Sequence, residues 1–311
     1  MRDPNSSNGA APHADIGARL MLAVLGLIWG ITWPVMKIAL NEIPPLTMRA
    51  AAGALGAVTY LLMCVLMRRS LRVPAPKIWA HILVGSLLNI VAFSVFGAFA
   101  QLAATTSRVA VLAYTMPIWA ILLAWLFLAE RPNRVQTIAL VLCIAGLAIL
   151  IYPLTAHGIP IGIVLALAVG VCWAGGTVYL KWAHIEADQM GVGSWQMTFA
   201  AVVLAACMLI FDGGLRFDGA HLDGLLATAW TGIAGNGIAY ALWFTVIRRL
   251  PAATASLGVL ASPVIGVIGS FLILGEVPTA PDMIGFALIF AASACVLLTR
   301  QSAVETASHA A

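Results

Sequence analysis

Residues 114–132 read YTMPIWAILLAWLFLAERP, and residues 260–278 read LASPVIGVIGSFLILGEVP. In each, a proline opens an apolar run that ends in Glu-x-Pro, so Pro117 matches Pro263, Glu130 matches Glu276 and Pro132 matches Pro278, all 146 residues apart. Further landmarks repeat at nearly the same distance. Trp29 and Lys37 recur 144 residues later as Trp173 and Lys181, and Asn89 recurs after 147 as Asn236. The second half of the chain is a copy of the first.

What each copy contains follows from hydropathy. Hydrophobic residues fill 62% of the 311 positions, charged residues 9%, and the mean hydropathy is +1.01. Soluble domains carry about 25% charge, so most of this surface faces lipid. About 20 apolar residues cross the hydrocarbon core as a helix. Cutting at polar and Pro/Gly clusters predicts ten spans, near 18–40, 46–67, 77–100, 106–128, 134–152, 160–183, 191–211, 222–248, 254–274 and 281–299. These runs are too long and too uniformly apolar for barrel strands. The reading is an all-α polytopic membrane protein, with a first five-helix repeat over 18–152, a second over 160–299, and loose cytoplasmic tails at 1–17 and 300–311. Five spans per copy is an odd number, so the second copy enters the membrane upside down. Inverted repeats around a central cavity are the architecture of secondary transporters.

Orientation comes from the cations. With the N-terminus inside, twelve of the 16 Lys and Arg fall on the cytoplasmic side, and Lys37, Arg49, Arg108 and Arg216 fall on the other. That split places both termini in the cytoplasm. No cleavable signal peptide is expected, because the first apolar run is long and leads into further spans. The five cysteines form no CxxC pair and read as small buried hydrophobes. No metal, cofactor or nucleic-acid partner is implied; a small-molecule substrate and the bilayer are, and ten helices suffice for a monomer.

Functional candidates are the polar and aromatic residues inside spans, since polar amides in hydrocarbon face the bundle interior. The first half offers Trp29, Trp33, Asn89, Phe93 and Tyr114; the second offers Trp173, Thr177, Asn236, Tyr240 and Trp243. Each Trp also reads as packing or an interfacial anchor, and each Asn as interhelical glue. Pro117 and Pro263 each remove a helix hydrogen bond, which predicts a kink, read either as a symmetric pair of hinges or as a static bend shaping the bundle. Lys37 with Glu276, and Lys181 with Glu130, form equivalent sets at the two mouths; they read as gate ion pairs or as helix-end charges snorkelling to water. Gly175-Gly176 read as close helix packing, and the Ala174-Gly175-Gly176 step alternatively as a loosening of span six beside a cavity. His81 reads as a surface-facing imidazole, or as the one side chain placed to exchange protons. No Asp or Glu falls at a midplane position, which favours facilitated diffusion or weak coupling over obligatory proton antiport.

The sequence resembles the drug/metabolite transporter superfamily in its EamA-type ten-helix branch. The resemblance is carried by IWGITWPVMKIAL in the first span, Arg49-Ala-Ala-Ala-Gly53 in the second, and the two proline elements quoted above. Within that branch it is most similar to bacterial exporters of aromatic amino acids of the YddG type. The resemblance implies export of amino acids or related metabolites across the inner membrane by alternating access. Two other readings remain at this point. A multidrug or organic-cation exporter on the same fold would be expected to place a carboxylate in its cavity, though aromatic faces can substitute. An intramembrane enzyme would need clustered nucleophiles, metal ligands or paired carboxylates, and the histidines at 13, 81, 157, 184, 221 and 309 form no cluster.

Overall fold

A computed structural model describes residues 16–157, 160–249 and 260–309, with side chains omitted at 155–157, 247–248 and 296–309. Most of the expected N-terminal tail and the start of the expected ninth span lie outside the described residues. The helices are α1 (Ile16–Glu42), α2 (Pro45–Leu66), α3 (Pro76–Ala103), α4 (Thr106–Leu128), α5 (Arg134–Ile151), α6 (Ile161–Ala183), α7 (Gln189–Phe211), α8 (222–249), α9 (Ala261–Leu274) and α10 (Ala280–His309). The chain is thus an all-α bundle of ten transmembrane helices. Seven of them, α1 to α7, are each long and apolar enough to cross a bilayer. Helix α10 runs on to His309, where a loose tail was expected; the segment after Arg300 contains no Gly or Pro to stop it.

The pairings of helices respect the repeat. Exchanging the halves turns α1 into α6, α2 into α7, α3 into α8, α4 into α9 and α5 into α10. Under that exchange the α1/α9 packing becomes α6/α4, α2/α8 becomes α7/α3, and α1/α8 becomes α6/α3, while α2/α7 and α5/α10 map onto themselves. All these pairs are in contact. Details at helix ends repeat as well. Helix α5 starts with a capping box between Asn133 and Gln136, and α10 starts with the equivalent pair, Thr279 and Asp282, 146 residues on. Ala129 ends α4 in the left-handed conformation (φ 55°), and Gly275 ends α9 in the same way (φ 69°).

Outward faces are apolar, as lipid contact requires: Leu126, Phe127, Ile210 and Leu272 are all exposed. Inside, small residues let backbones approach. A Cβ on Gly30 of α1 would come within 2.6 Å of Ile265 on α9, and one on Gly232 of α8 within 2.7 Å of the Ala52 carbonyl on α2. Carboxylates stitch the helix ends on the Lys37 face. The α2 start donates to Asp212 (Thr47 N at 2.8 Å, Oγ1 at 2.9 Å), and His221, just before α8, donates its N–H to Glu42 at 2.9 Å. Each acid sits where helix-terminal N–H groups lack partners.

Two irregularities were not expected from the sequence. Within α3, residues Leu87–Ala92 form a π-helical turn, and within α8, Thr231–Ile238 do the same. The two occupy equivalent places in the repeat. Asn89 lies in the first and Asn236 in the second. Helix α6, by contrast, is unbroken through Ala174-Gly175-Gly176, so the expected loosening is in α3 and α8 instead. The glycines there serve close packing: a Cβ on Gly176 would overlap the Asn89 amide, and one on Gly56 would come within 2.6 Å of Asn236 Cβ.

Candidate functional site

A cavity lies between the halves, with about 760 Å³ of unfilled space counted to its open mouth. Helix α1 contributes Trp29, Trp33 and Met36, α2 contributes Arg49, and α3 contributes Asn89, Phe93 and Ser94. Tyr114 comes from α4, Trp173 from α6, and Thr231, Asn236 and Tyr240 from α8.

Its wall is a closed chain of aromatic rings. Trp29 meets Tyr240 edge-on at 5.7 Å, Tyr240 meets Trp173 at 6.1 Å, Trp173 meets Phe93 edge-on at 5.2 Å, and Phe93 meets Trp33 at 5.9 Å. Trp33 lies one helical turn from Trp29, so the chain begins and ends on α1. Trp29 and Trp173 are repeat copies, as are Phe93 and Tyr240; the belt is built from two equivalent pairs plus Trp33. The Trp29 indole is fixed by donating to the Gly235 carbonyl at 3.2 Å, in the π turn of α8. π turns concentrate at functional sites because they re-aim the side chains around them. Here both π turns border the cavity, with Asn89 and Asn236 on them and Phe93 and Tyr240 following. The Asn89 Oδ1 is buried and accepts no hydrogen bond.

Two of the ten cavity candidates lie elsewhere. Thr177 is the repeat copy of Trp33, but it is exposed on α6 and its hydroxyl donates to its own Trp173 carbonyl at 2.9 Å. Trp243 stands behind the wall, packed on Trp29 at 6.1 Å. Arg49 moves in the other direction. The charge count placed it among the cations of the outer face, yet its residue surface is 4% exposed and it lines the cavity. The available signal was an Arg in the second turn of an apolar helix, with no acid three or four residues away on either side.

Helix α4 is interrupted at Tyr114 and Thr115, immediately before Pro117, and resumes at Met116. Proline supplies no N–H and its ring would strike the carbonyl four residues earlier. The Thr115 N–H and hydroxyl both donate to the Leu112 carbonyl, at 3.1 and 2.6 Å, which closes the turn just before the proline. Pro263 sits in the first turn of α9, and the residues before Leu260 lie outside the described residues.

The two Lys/Glu sets differ. Lys181 and Glu130 form an ion pair at the surface, each about half exposed. Such a pair contributes little to stability. Lys37 and Glu276 do not pair. Lys37 donates to the Gln101 carbonyl at 2.6 Å, at the end of α3, while Glu276 accepts from Thr106 N at 2.7 Å and from Ser107 N and Oγ at 2.9 Å, at the start of α4. A buried Gln101 also donates to the Trp33 carbonyl at 3.0 Å. The expected direct pair is replaced by these bonds because both groups meet unsatisfied helix ends first. Together they tie the end of α3 and the start of α4 to α1 and the end of α9. His81 lies outside the cavity, its Nδ1 hydrogen-bonded with the Tyr179 hydroxyl at 2.7 Å.

The EamA-like transporter family matches residues 17–152 and, a second time, residues 160–298. The chain belongs to this family. Among its relatives, the uncharacterized transporter YvbV of Bacillus subtilis (strain 168) is 26% identical over 292 residues, covering 93% of this chain and 94% of the relative. YoaV of the same organism, also an uncharacterized transporter, is 24% identical over 277 residues, covering 87% and 94%. The uncharacterized inner membrane transporter YedA of Escherichia coli (strain K12) is 26% identical over 277 residues, covering 89% of each. A crystal structure superposes with a TM-score of 0.64 at 21% identity, over 93% of this chain and 99% of the other, and so shares the fold. As a member of the EamA-like family, the protein is a multi-pass membrane transporter, and the double match falls on the two copies seen in the sequence.

Proposed function

We propose that this EamA-family protein exports amino acids with aromatic or apolar side chains across the inner membrane, by exposing the central cavity alternately to each side. The observation that carries this is the aromatic belt. Five rings drawn from both halves enclose a site between them, where an inverted repeat gives equivalent closures above and below. Flat apolar walls with two amides suit a small solute that is apolar at one end and polar at the other. Both termini lie in the cytoplasm in this reading, as the cation distribution favours. Among the described residues no Asp or Glu lines the cavity. Proton relays inside membranes run mainly on such carboxylates, which favours facilitated diffusion or weak coupling over obligatory proton antiport.

The test is counterflow. Proteoliposomes containing the purified full chain and loaded with unlabelled phenylalanine are expected to accumulate external labelled phenylalanine transiently, well above protein-free vesicles. The rate should be unchanged when an imposed pH gradient is collapsed. Absence of counterflow for phenylalanine, tyrosine, tryptophan and leucine refutes the substrate assignment; counterflow that vanishes with the gradient refutes the facilitator mechanism.

A further inference from the structure

We infer that the solute binds through a carboxylate to the guanidinium of Arg49, which stands in the cavity as a fixed cation without a counter-ion. This deepens the proposed function and rests on the cavity being the transport path. Arg49 is 4% exposed, so it does not reach water as a snorkelling arginine would. Its Nη1 donates to the thioether of Met36, at 2.8 Å, and its Nε is buried with no hydrogen-bond partner. A thioether is a weak acceptor and carries no charge. No ion pair joins Arg49 to any described carboxylate. Asp212, which approaches the same helix two residues away in the chain, is engaged by the Thr47 N–H and hydroxyl. A permanently charged group buried in a bundle is costly unless paired, and the one neighbour able to supply a negative charge is whatever occupies the cavity. The planar fork of arginine matches a carboxylate in a bidentate fashion.

The rest of the cavity defines the other end of that solute. Asn89 and Asn236 bring two amides to the lining, and an amide carbonyl oxygen can accept from an ammonium group. The faces of Trp29, Trp173 and Tyr240 accept either a cation or an apolar side chain. A carboxylate, an ammonium and an apolar group together describe a zwitterionic α-amino acid. The same arrangement disfavours organic cations, which Arg49 repels.

The experiment compares four ligands that differ by one group each: phenylalanine, phenylalaninamide, 2-phenylethylamine and 3-phenylpropionate. Binding is read as thermal stabilisation of the detergent-purified full chain, and transport as competition with phenylalanine counterflow. Phenylalanine and phenylpropionate are expected to stabilise and compete; the amide and the amine are not. Arg49→Gln should weaken both carboxylates about tenfold or more, with Arg49→Lys intermediate, as expected for loss of a charge-assisted bidentate contact. The wild-type ligand series carries the test even where a variant fails to fold. Amine or amide binding equal to phenylalanine, or full carboxylate binding by a folded Arg49→Gln protein, overturns the inference. So does equal stabilisation by inorganic phosphate, which would make this a general anion site. Carboxylate binding that needs Arg49 but gives no counterflow supports the Arg49 site and refutes the transport reading.

Discussion

Asp282→Ala is expected to lower the stability of the detergent-solubilised protein by about 3–5 kcal/mol, the usual cost of breaking a buried ion pair. Asp282 is 4% exposed and accepts a bidentate pair from Arg108, Nε at 2.6 Å and Nη2 at 2.9 Å. Its Oδ2 also accepts from Thr279 N at 2.9 Å and Thr279 Oγ1 at 2.7 Å, so it caps the start of α10 as well. Removing it leaves the Arg108 charge uncompensated and uncaps a helix at once. Asp282→Asn retains an acceptor for the cap and should fall between wild type and alanine. The first-half copy of this position is Gln136, which makes the cap without any ion pair. The asymmetry therefore isolates the charge. Thermal or denaturant melts check the series, and an alanine variant within about 0.5 kcal/mol of wild type would show that the pair is dispensable.

Gly232→Val should be nearly as damaging, through overpacking. A Cβ at Gly232 meets the Ala52 carbonyl and Leu55 Cβ at 2.7 Å, and neither atom is the free end of a flexible chain. Helix α8 must move off α2, and the π turn that carries Asn236 moves with it. The expected cost is about 1–3 kcal/mol, together with loss of counterflow, because the belt residue Tyr240 follows that turn. Gly97→Ala is the matched control: its nearest neighbour would be Val169 Cγ2 at 3.9 Å, an ordinary contact. There the gain in helix propensity, up to about 1 kcal/mol, should leave the protein as stable or more so. If Gly232→Val melts and transports like wild type, the α2/α8 contact is looser than its geometry implies.

The fold was legible because lipid exposure makes spans read as long apolar runs and because the repeat left its landmarks at a near-constant offset. Trp29, Trp173, Asn89, Asn236, Phe93 and Tyr240 could be singled out for the same reason: each has an equivalent or near-equivalent residue in the other half. What escaped the sequence is what breaks or modulates that equivalence. Trp33 lines the cavity while its copy Thr177 faces outward. Asp282 holds a partly buried arginine while Gln136 does not. The π turns in α3 and α8 leave no periodicity signal in segments that are apolar on every side; the amides and the Thr-Gly-Ile-Ala-Gly-Asn-Gly run of α8 are their only local trace. Arg49 was misread for a related reason. Counting cations by side assigns a charge near a helix end to water, and only packing reveals that its side chain turns inward. The Lys37 and Glu276 reading failed because pairing was inferred from charge and symmetry, whereas free helix ends competed for both groups.

The solute path through the belt is tested most directly by cysteine accessibility at Ser94, which is buried at 4% exposure and lines the cavity. The native cysteines at 64, 143, 172, 207 and 295 are replaced, Ser94→Cys is introduced, and a membrane-impermeant methanethiosulfonate is applied to sealed vesicles of each orientation. Because carboxylates tie the helix ends together on the Lys37 face, Cys at this position should react from the face bearing Glu130 and Lys181, and saturating phenylalanine should slow the reaction severalfold. Reaction from neither face, or at a rate that phenylalanine does not change, would contradict a transport path between the two halves.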